Sequence, residues 1–548
     1  MFMTIASRVL GLVRQRALAH FFEPNELSLF FAAFRLPDLI FEVLVFGTFA
    51  SAFIPVFTKS LKKGSKDAWE IAGTIANIGL IIFVVMALVI AFFSGHLYGI
   101  LAPGFTGADR DTIVSLTRIL FAAQGFFVIS YVLTAVLESS RRFIVPAIAP
   151  LFYNLGIILG TVVLSPTMGL MGPTIGVAFG AFCHFAVQLP LAIKLGFRIK
   201  PIIRITEDVK KIGKLALPRI IEVSFLQIAK SVELSLASII STASYTFFTF
   251  GNTVQLLPVG LFGTSIAKAA LPTLARQSDD RTQFKRTLFG ALYQIAFLIM
   301  PIATVLIVLR IPIVRLIFGT DIFSWESTVQ TGMVVSAFAF GVFFQAANSV
   351  LARSFYALHD TRTPVAVSLI TLSINIILDL ILIKYFGLPV WALAAAFSFA
   401  ASLQTITLFV LLEKKIGDGE GIRTFIPFAK SFFASLVSGF TMYFFLKFFD
   451  RSVWIKQLSF MNKIDASNQI PFEKFVLDTR YTVNLLILTI MVILVGGVIY
   501  VGISMLLKSR ELIYFASLLK RIAKKKVGAI PERETETLTP SPTDSTPS

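Results

Sequence analysis

The sequence predicts an all-α polytopic membrane protein of about fourteen transmembrane helices, arranged as two six-helix lobes related by a pseudo-two-fold and a C-terminal helix pair. Three observations carry that prediction. Apolar runs of membrane-spanning length recur along almost the whole chain. Hydrophobic residues make up 56% of the 548 and charged ones only 15%, with a mean hydropathy of +0.82, too little polar surface to keep a soluble chain of this length in water. Basic residues gather in every second connection between the runs, which is how a multi-pass protein is oriented.

The first helix is predicted over 2–22. Arg8 and Arg14 interrupt its apolar stretch and no small-residue cleavage pattern follows, so it reads as a retained span and not a secretory signal. The second helix, 27–57, carries Pro37 and Gly47. Helices over 71–95, 112–138, 143–164 and 169–193 complete an N-lobe, 1–194. A basic connector, 195–211, leads to a C-lobe, 212–412. Its helices are expected over 212–240, 244–274, 285–309, 327–356, 363–384 and 389–412, the second of them broken at Gly251, Pro258 and Gly260. Two more spans, 425–448 and 481–507, form a pair within 413–507. Residues 508–526 read as a basic amphipathic surface helix, and the Pro/Ser/Thr-rich 527–548 as a disordered tail.

Loop charge checks the layout. "KSLKKGSK", "SSRR", the connector, "RQSDDRTQFKR", "RSFYALHDTRT" and "EKKIGDGEGIR" fall in even-numbered connections, while "FEPNE", "SPTMGLMGP" and "STASY" fall in odd ones. The long 450–480 connection departs from the alternation, and long loops carry less topological information. A multi-pass membrane protein with both termini in the cytoplasm follows. "LESSRRFIVPAIAPLFYN" (137–154) and "FYALHDTRTPVAVSLITLSIN" (355–375) hint at a parallel repeat: each has a basic turn, a proline opening the next helix, and an asparagine further on, Asn154 and Asn375.

The net charge of +18 lies mainly in these short loops, so anionic membrane lipids and an anionic substrate are expected partners and nucleic acid is not. The single Cys183 excludes an intrachain disulfide framework. His20, His96, His184 and His359 show no ligand spacing, so no metal site is expected. No phosphate-binding glycine loop is present, so neither ATP nor another cofactor is expected, and an intramembrane glycosyltransferase is disfavoured because no carboxylate constellation is evident. Any energy source would be membrane potential, an ion gradient or consumption of product. A monomer is expected.

"SRVLGLVRQRALAHFF" followed by "FFAAFRLPDLIFEVLVFGTFASAFIPVF" resembles the opening of the MurJ/MviN family, lipid II flippases within the multidrug/oligosaccharidyl-lipid/polysaccharide exporter group. "LAPGF", "RRFIVPAIAP", "LPVGLFGTSIAKAALP" and "RSFYALHDTRTPV" extend the resemblance over roughly 5–410. It implies two lobes around a central cavity, a lipid-tail groove formed by the last helix pair, and a polyprenyl-pyrophosphate-linked substrate moved by alternating access, with no catalytic residue. It places the family's first-helix arginines on Arg8 and Arg14, with Gln15 where an acid usually follows, and its next basic residue on Arg35. Phe41, Glu42 and Thr253 stand where further cations are expected, and Phe46 where an acid is.

Helical geometry limits what these charges can do together. Arg8 and Arg14 lie about 240° apart around a helix, and Arg14 and Arg16 about 200°, so the three cannot converge on one small site. Substrate-facing candidates are Arg8, Arg14, Arg35 and Lys268, the last drawn from the apolar "SIAKAALP". Arg35 could equally pair with Asp38, and Lys268 could form a salt bridge. Lys230 with Glu233, and Arg219 with Glu222, have the spacing of pairs along one helix. Asp379 either binds a coupling ion or makes a helix-packing hydrogen bond. Pro37, Gly47, Gly251, Pro258 and Gly260 are the expected hinges. Besides lipid II transport, the sequence allows a flippase for another polyprenyl-linked saccharide or amphiphile, or a non-transporting scaffold for envelope assembly.

Overall fold

The computed structural model describes residues 2–43, 49–63, 65–198, 203–417, 424–450, 477–515 and 517, without the side chains of 2, 4, 5, 49–52, 62, 63, 65, 66, 215–219, 221 and 222. Gly47, Phe46, most of the 450–480 connection, most of 516–526 and the tail 527–548 lie outside the described residues, as do the side chains of Arg219 and Glu222.

The chain runs through α1 (Phe2–Phe21), α2 (Pro24–Ala33), α3 (Arg35–Phe41), α4 (Phe49–Lys63), α5 (Ser65–Leu101), α6 (Ala108–Ser139), α7 (Ile144–Leu159), α8 (Ser165–Met168) and α9 (Met171–Leu195). The second half holds α10 (Glu207–Ile240), α11 (Ser244–Pro258), α12 (Thr264–Arg276), α13 (Arg281–Val308), α14 (Arg310–Phe318), α15 (Trp325–Ala357), α16 (Arg362–Leu380) and α17 (Trp391–Ile416), followed by α18 (Ile426–Phe449) and α19 (Thr482–Leu506). Among the described residues twelve helices are long and apolar enough to cross a membrane. The two predicted spans outside that set are the first, which carries three arginines, and the second, which is cut at Phe34. Two further departures concern bounds. α10 begins inside the predicted connector, capped by Thr206, whose hydroxyl accepts from the Val209 amide. α14 has no counterpart in the prediction, because this short helix follows α13 with only Leu309 between them and is too short to register as a span.

With no water to satisfy backbone groups, helices in lipid associate by close backbone approach. Here that approach is clearest between α7 and α9. Gly156 and Gly160 face Gly176 and Gly180 so closely that a Cβ at any of the four would overlap the opposing backbone. Gly176→Val is expected to destabilise the fold by about 1–3 kcal/mol, read as a lower melting temperature in detergent; an unchanged melt would show that this contact does not hold α7 against α9.

The suspected repeat has a structural counterpart. Arg141 and His359 both adopt φ 58°, and each sits in the same turn, where the amide one residue later bonds back five residues, Arg142 to the Leu137 carbonyl and Asp360 to that of Phe355. After the second turn the Asp360 carboxylate accepts from the Thr363 amide at 3.0 Å and from Lys415 at 2.5 Å. The Lys415 bond holds its carboxyl down at about 2.

At one end of the bundle the two halves are stitched by short polar side chains. Thr246 Oγ1 donates to the Pro24 carbonyl (2.7 Å), Thr242 to Asn25 Oδ1 (2.8 Å), and the Gly104 amide to Ser238 Oγ (3.2 Å). Gly104 is required there, because a Cβ would overlap the Ser238 carbonyl.

Candidate functional site

The site is built on the break between α2 and α3. Pro37 has no amide hydrogen, so the Ala33 carbonyl four residues earlier loses its helical donor. Tyr98 and Thr117 supply hydroxyl donors to that carbonyl at 3.1 and 3.0 Å, which lets the chain turn at Phe34 without an orphaned acceptor in the membrane. Pro37 therefore marks a stabilised break. The turn points Arg35 into the interior, where it is 5% exposed.

Arg35 donates to Gln227 Oε1 on α10, and Gln227 Nε2 donates in turn to Glu42. Glu42 also accepts from Lys230 Nζ at 3.1 and 3.3 Å. Asp38 accepts from Gln124 Nε2 at 2.5 Å and feels the charges of Arg35, Glu42 and Lys230. Glu233 is in electrostatic contact with Lys230 and Arg35, and Asp379 with Glu233. Asp379 is fully buried; Asn375 donates to its Oδ2 at 3.1 Å. Of the two sequence readings of Arg35, the electrostatic contact with Asp38 is present, but its hydrogen bond goes to Gln227. The expected Lys230–Glu233 contact is present as an electrostatic one, while the cation's salt bridge goes to Glu42, on the facing half of the bundle.

The first-helix arginines go to three places. Arg16 Nη1 donates to the Leu316 and Ile317 carbonyls at 2.6 and 3.1 Å, closing the C-terminus of α14. Arg8 Nη1 donates at 3.3 Å to the Leu256 carbonyl, next to Pro258, where the helix loosens into a π-helical turn over Val259–Gly263. Its guanidinium lies on Gly260, and a Cβ there would overlap it. Arg14 turns toward Tyr153 on α7, and Tyr153 in turn senses Asp38, so Arg14 stands at the edge of the charge cluster. Lys268 does not join it. The lysine is exposed and not buried, and its charge is felt by Glu138 at the end of α6, on the other lobe. Gly251 lies within regular helix and admits Val334 at close range, so there it serves packing. Thr253 donates to the Thr249 carbonyl of its own helix.

Beside the cluster lies a cavity of about 590 Å³. Glu42 and Lys230 form one wall; amides and hydroxyls from α15, α16 and α17, among them Gln345, Asn348, Asn375 and Gln404, form another. The sequence reading missed Gln227 and these amides. The only local signal was the spacing of Gln227 and Lys230, three apart and thus on one helical face. A second, apolar groove of about 650 Å³ runs between α13, α15 and α18, lined by Phe343, Phe344, Phe432, Leu436 and Phe440. It lies on one side of the last helix pair and not between its members, because Ser438 bonds the Gly496 carbonyl at 2.8 Å and holds α18 against α19. Among the described residues no cluster of His, Cys, Asp and Glu has the makings of a metal site.

The family model "Lipid II flippase MurJ" matches residues 18–465. Two relatives described as "Probable lipid II flippase MurJ" come from Vibrio cholerae serotype O1 and Haemophilus influenzae. The first is 29% identical over 74% of this chain and 80% of its own length. The second is 27% identical over 84% and 93%. Among solved structures, "Lipid II flippase MurJ, inward closed conformation" matches with a TM-score of 0.74 at 23% identity, over 94% of this chain and 99% of that one. "Inward-facing conformation of a multidrug resistance MATE family transporter of the MOP superfamily" matches with a TM-score of 0.57 at 12% identity, over 75% of this chain and 94% of that one. The family is one of transporters and not of enzymes, and with a match over most of its length this chain is a multi-pass membrane protein that belongs to the lipid II flippase MurJ family.

Proposed function

We propose that the chain carries lipid II from the inner to the outer leaflet of the bacterial cytoplasmic membrane by alternating access of two lobes, 1–194 and 212–412. The observation that carries this reading is the Arg35–Gln227–Glu42–Lys230 tie between the halves, beside an amide-lined cavity. Cations at a cavity in a low-dielectric bundle suit a pyrophosphate; amides and hydroxyls suit a sugar; and the aromatic groove along α18 suits a polyprenyl tail. Both termini face the cytoplasm in this reading, the stitched end near Pro24 and Thr246 faces outward, and opening it moves the headgroup across. The protein works as a monomer among anionic lipids, without a bound cofactor. Arg8, Arg14 and Arg35 contact substrate at different stages, and Pro258 and Gly260 let α11 bend.

Expression in cells depleted of their own lipid II flippase is expected to restore growth. Failure of a membrane-inserted, full-length protein to do so would overturn the assignment. One observation favours a second reading, a flippase for a different polyprenyl-linked saccharide: Phe41 is buried against Phe127 and Tyr131, and Glu42 is anionic, where the resemblance expects cations. Tighter binding of another lipid-linked sugar than of lipid II would select it.

A further inference from the structure

Of the cluster's charged groups, Glu42 and Lys230 line the cavity. Lys230 is the one cation lining it among the described residues. The two differ from Arg35 in how firmly they are held. Arg35 is buried and fixed by Gln227, whereas the side chains of Lys230 and Glu42 are 37% and 26% exposed. Their contact is at 3.1 Å, and a partly solvated pair of this kind contributes little. Glu42 has a second donor in Gln227, so it keeps a partner if the lysine leaves. Among the described residues Lys230 has no such tie on the cavity side, where the facing wall offers uncharged amides and hydroxyls. The arrangement keeps a cation neutralised until an anion of higher charge density enters.

We propose that Lys230 and Glu42 form a displaceable counter-ion pair, in which Lys230 binds the phosphate of the incoming lipid headgroup and Glu42 holds its place in the empty cavity. The proposal rests on the flippase reading and deepens it: the phosphate-binding cation is carried on α10, and the carboxylate opposite it sets a threshold that a diphosphate passes more readily than a monophosphate. Binding then moves Lys230 from Glu42 to the ligand, while Gln227 retains Glu42 beside Arg35.

The test measures binding of a polyprenyl pyrophosphate and of the matching monophosphate to the full chain in nanodiscs, with melting temperatures recorded alongside. A displaced pair gives shifts of opposite sign. Lys230→Gln is expected to weaken pyrophosphate binding about tenfold or more, the loss of a charged hydrogen bond. Glu42→Gln is expected to tighten it, and to narrow the preference for pyrophosphate over monophosphate. Should Lys230→Gln fail to fold, Glu42→Gln alone still decides. A purely structural pair moves both variants the same way, toward weaker binding and a lower melting temperature, and that result would overturn the proposal, as would a Lys230→Gln protein binding like the wild type. If the wild type itself binds neither lipid, the flippase reading falls and takes this one with it; parallel shifts in a wild type that binds remove only the counter-ion role.

Discussion

Arg35→Ala is expected to abolish transport and to lower folding stability by about 3–5 kcal/mol, the range for breaking a buried charge pair from one side. The size follows from what the guanidinium touches. It bonds Gln227, which orients Glu42, and its charge offsets those of Asp38 and Glu233. Without it, the half-buried carboxylates Asp38 and Glu233 keep Lys230 as the cation whose charge they feel. Arg35→Lys is expected to recover part of the stability and little of the transport, because an ammonium supplies charge but not the planar guanidinium whose N–H is aimed at Gln227 Oε1. Thermal melts in detergent and complementation at matched membrane levels are the measurements. An Arg35→Ala protein that melts and transports like the wild type would place the site elsewhere.

The helices were legible because membrane burial imposes a length and a polarity that composition reports directly. The side-chain site was legible only where its cause is local. Pro37 signals a lost amide, but not that Tyr98 and Thr117 would stabilise the carbonyl it frees, since those donors come from α5 and α6. The i, i+3 spacing of Lys230 and Glu233 is a local signal, and it told half: the two are in electrostatic contact, but the cation's salt-bridge partner, Glu42, lies 188 residues away. Lys268 was legible only in part. "SIAKAALP" shows an apolar neighbourhood along the chain, but not which face of α12 meets lipid, solvent or protein. The helical wheel did better with Arg8, Arg14 and Arg16. It excluded convergence, and the three side chains reach Leu256, Tyr153 and the end of α14. What it could not supply was the acceptors, which are backbone carbonyls of helices more than two hundred residues downstream.

That division makes the second large effect specific to one arginine. Arg14→Ala is expected to reduce lipid II flux about 10–100-fold, the loss of one hydrogen bond to a charged group, while the melting temperature stays near that of the wild type. Arg16→Ala is expected to do the reverse. Its guanidinium satisfies two carbonyls at the end of α14, so its loss frays a structural contact and lowers the melt, and flux falls only as far as the stitched end is loosened. Arg8→Ala belongs between them, because Arg8 bonds a backbone carbonyl beside the Pro258 break and also fills the space over Gly260. Initial rates of fluorescent lipid II movement in proteoliposomes, paired with thermal melts of the same preparations, separate the three. Flux lost in Arg16→Ala and kept in Arg14→Ala would mean that the closure at α14 controls transport, and that the charge at the edge of the cluster serves only to hold α1 against α7.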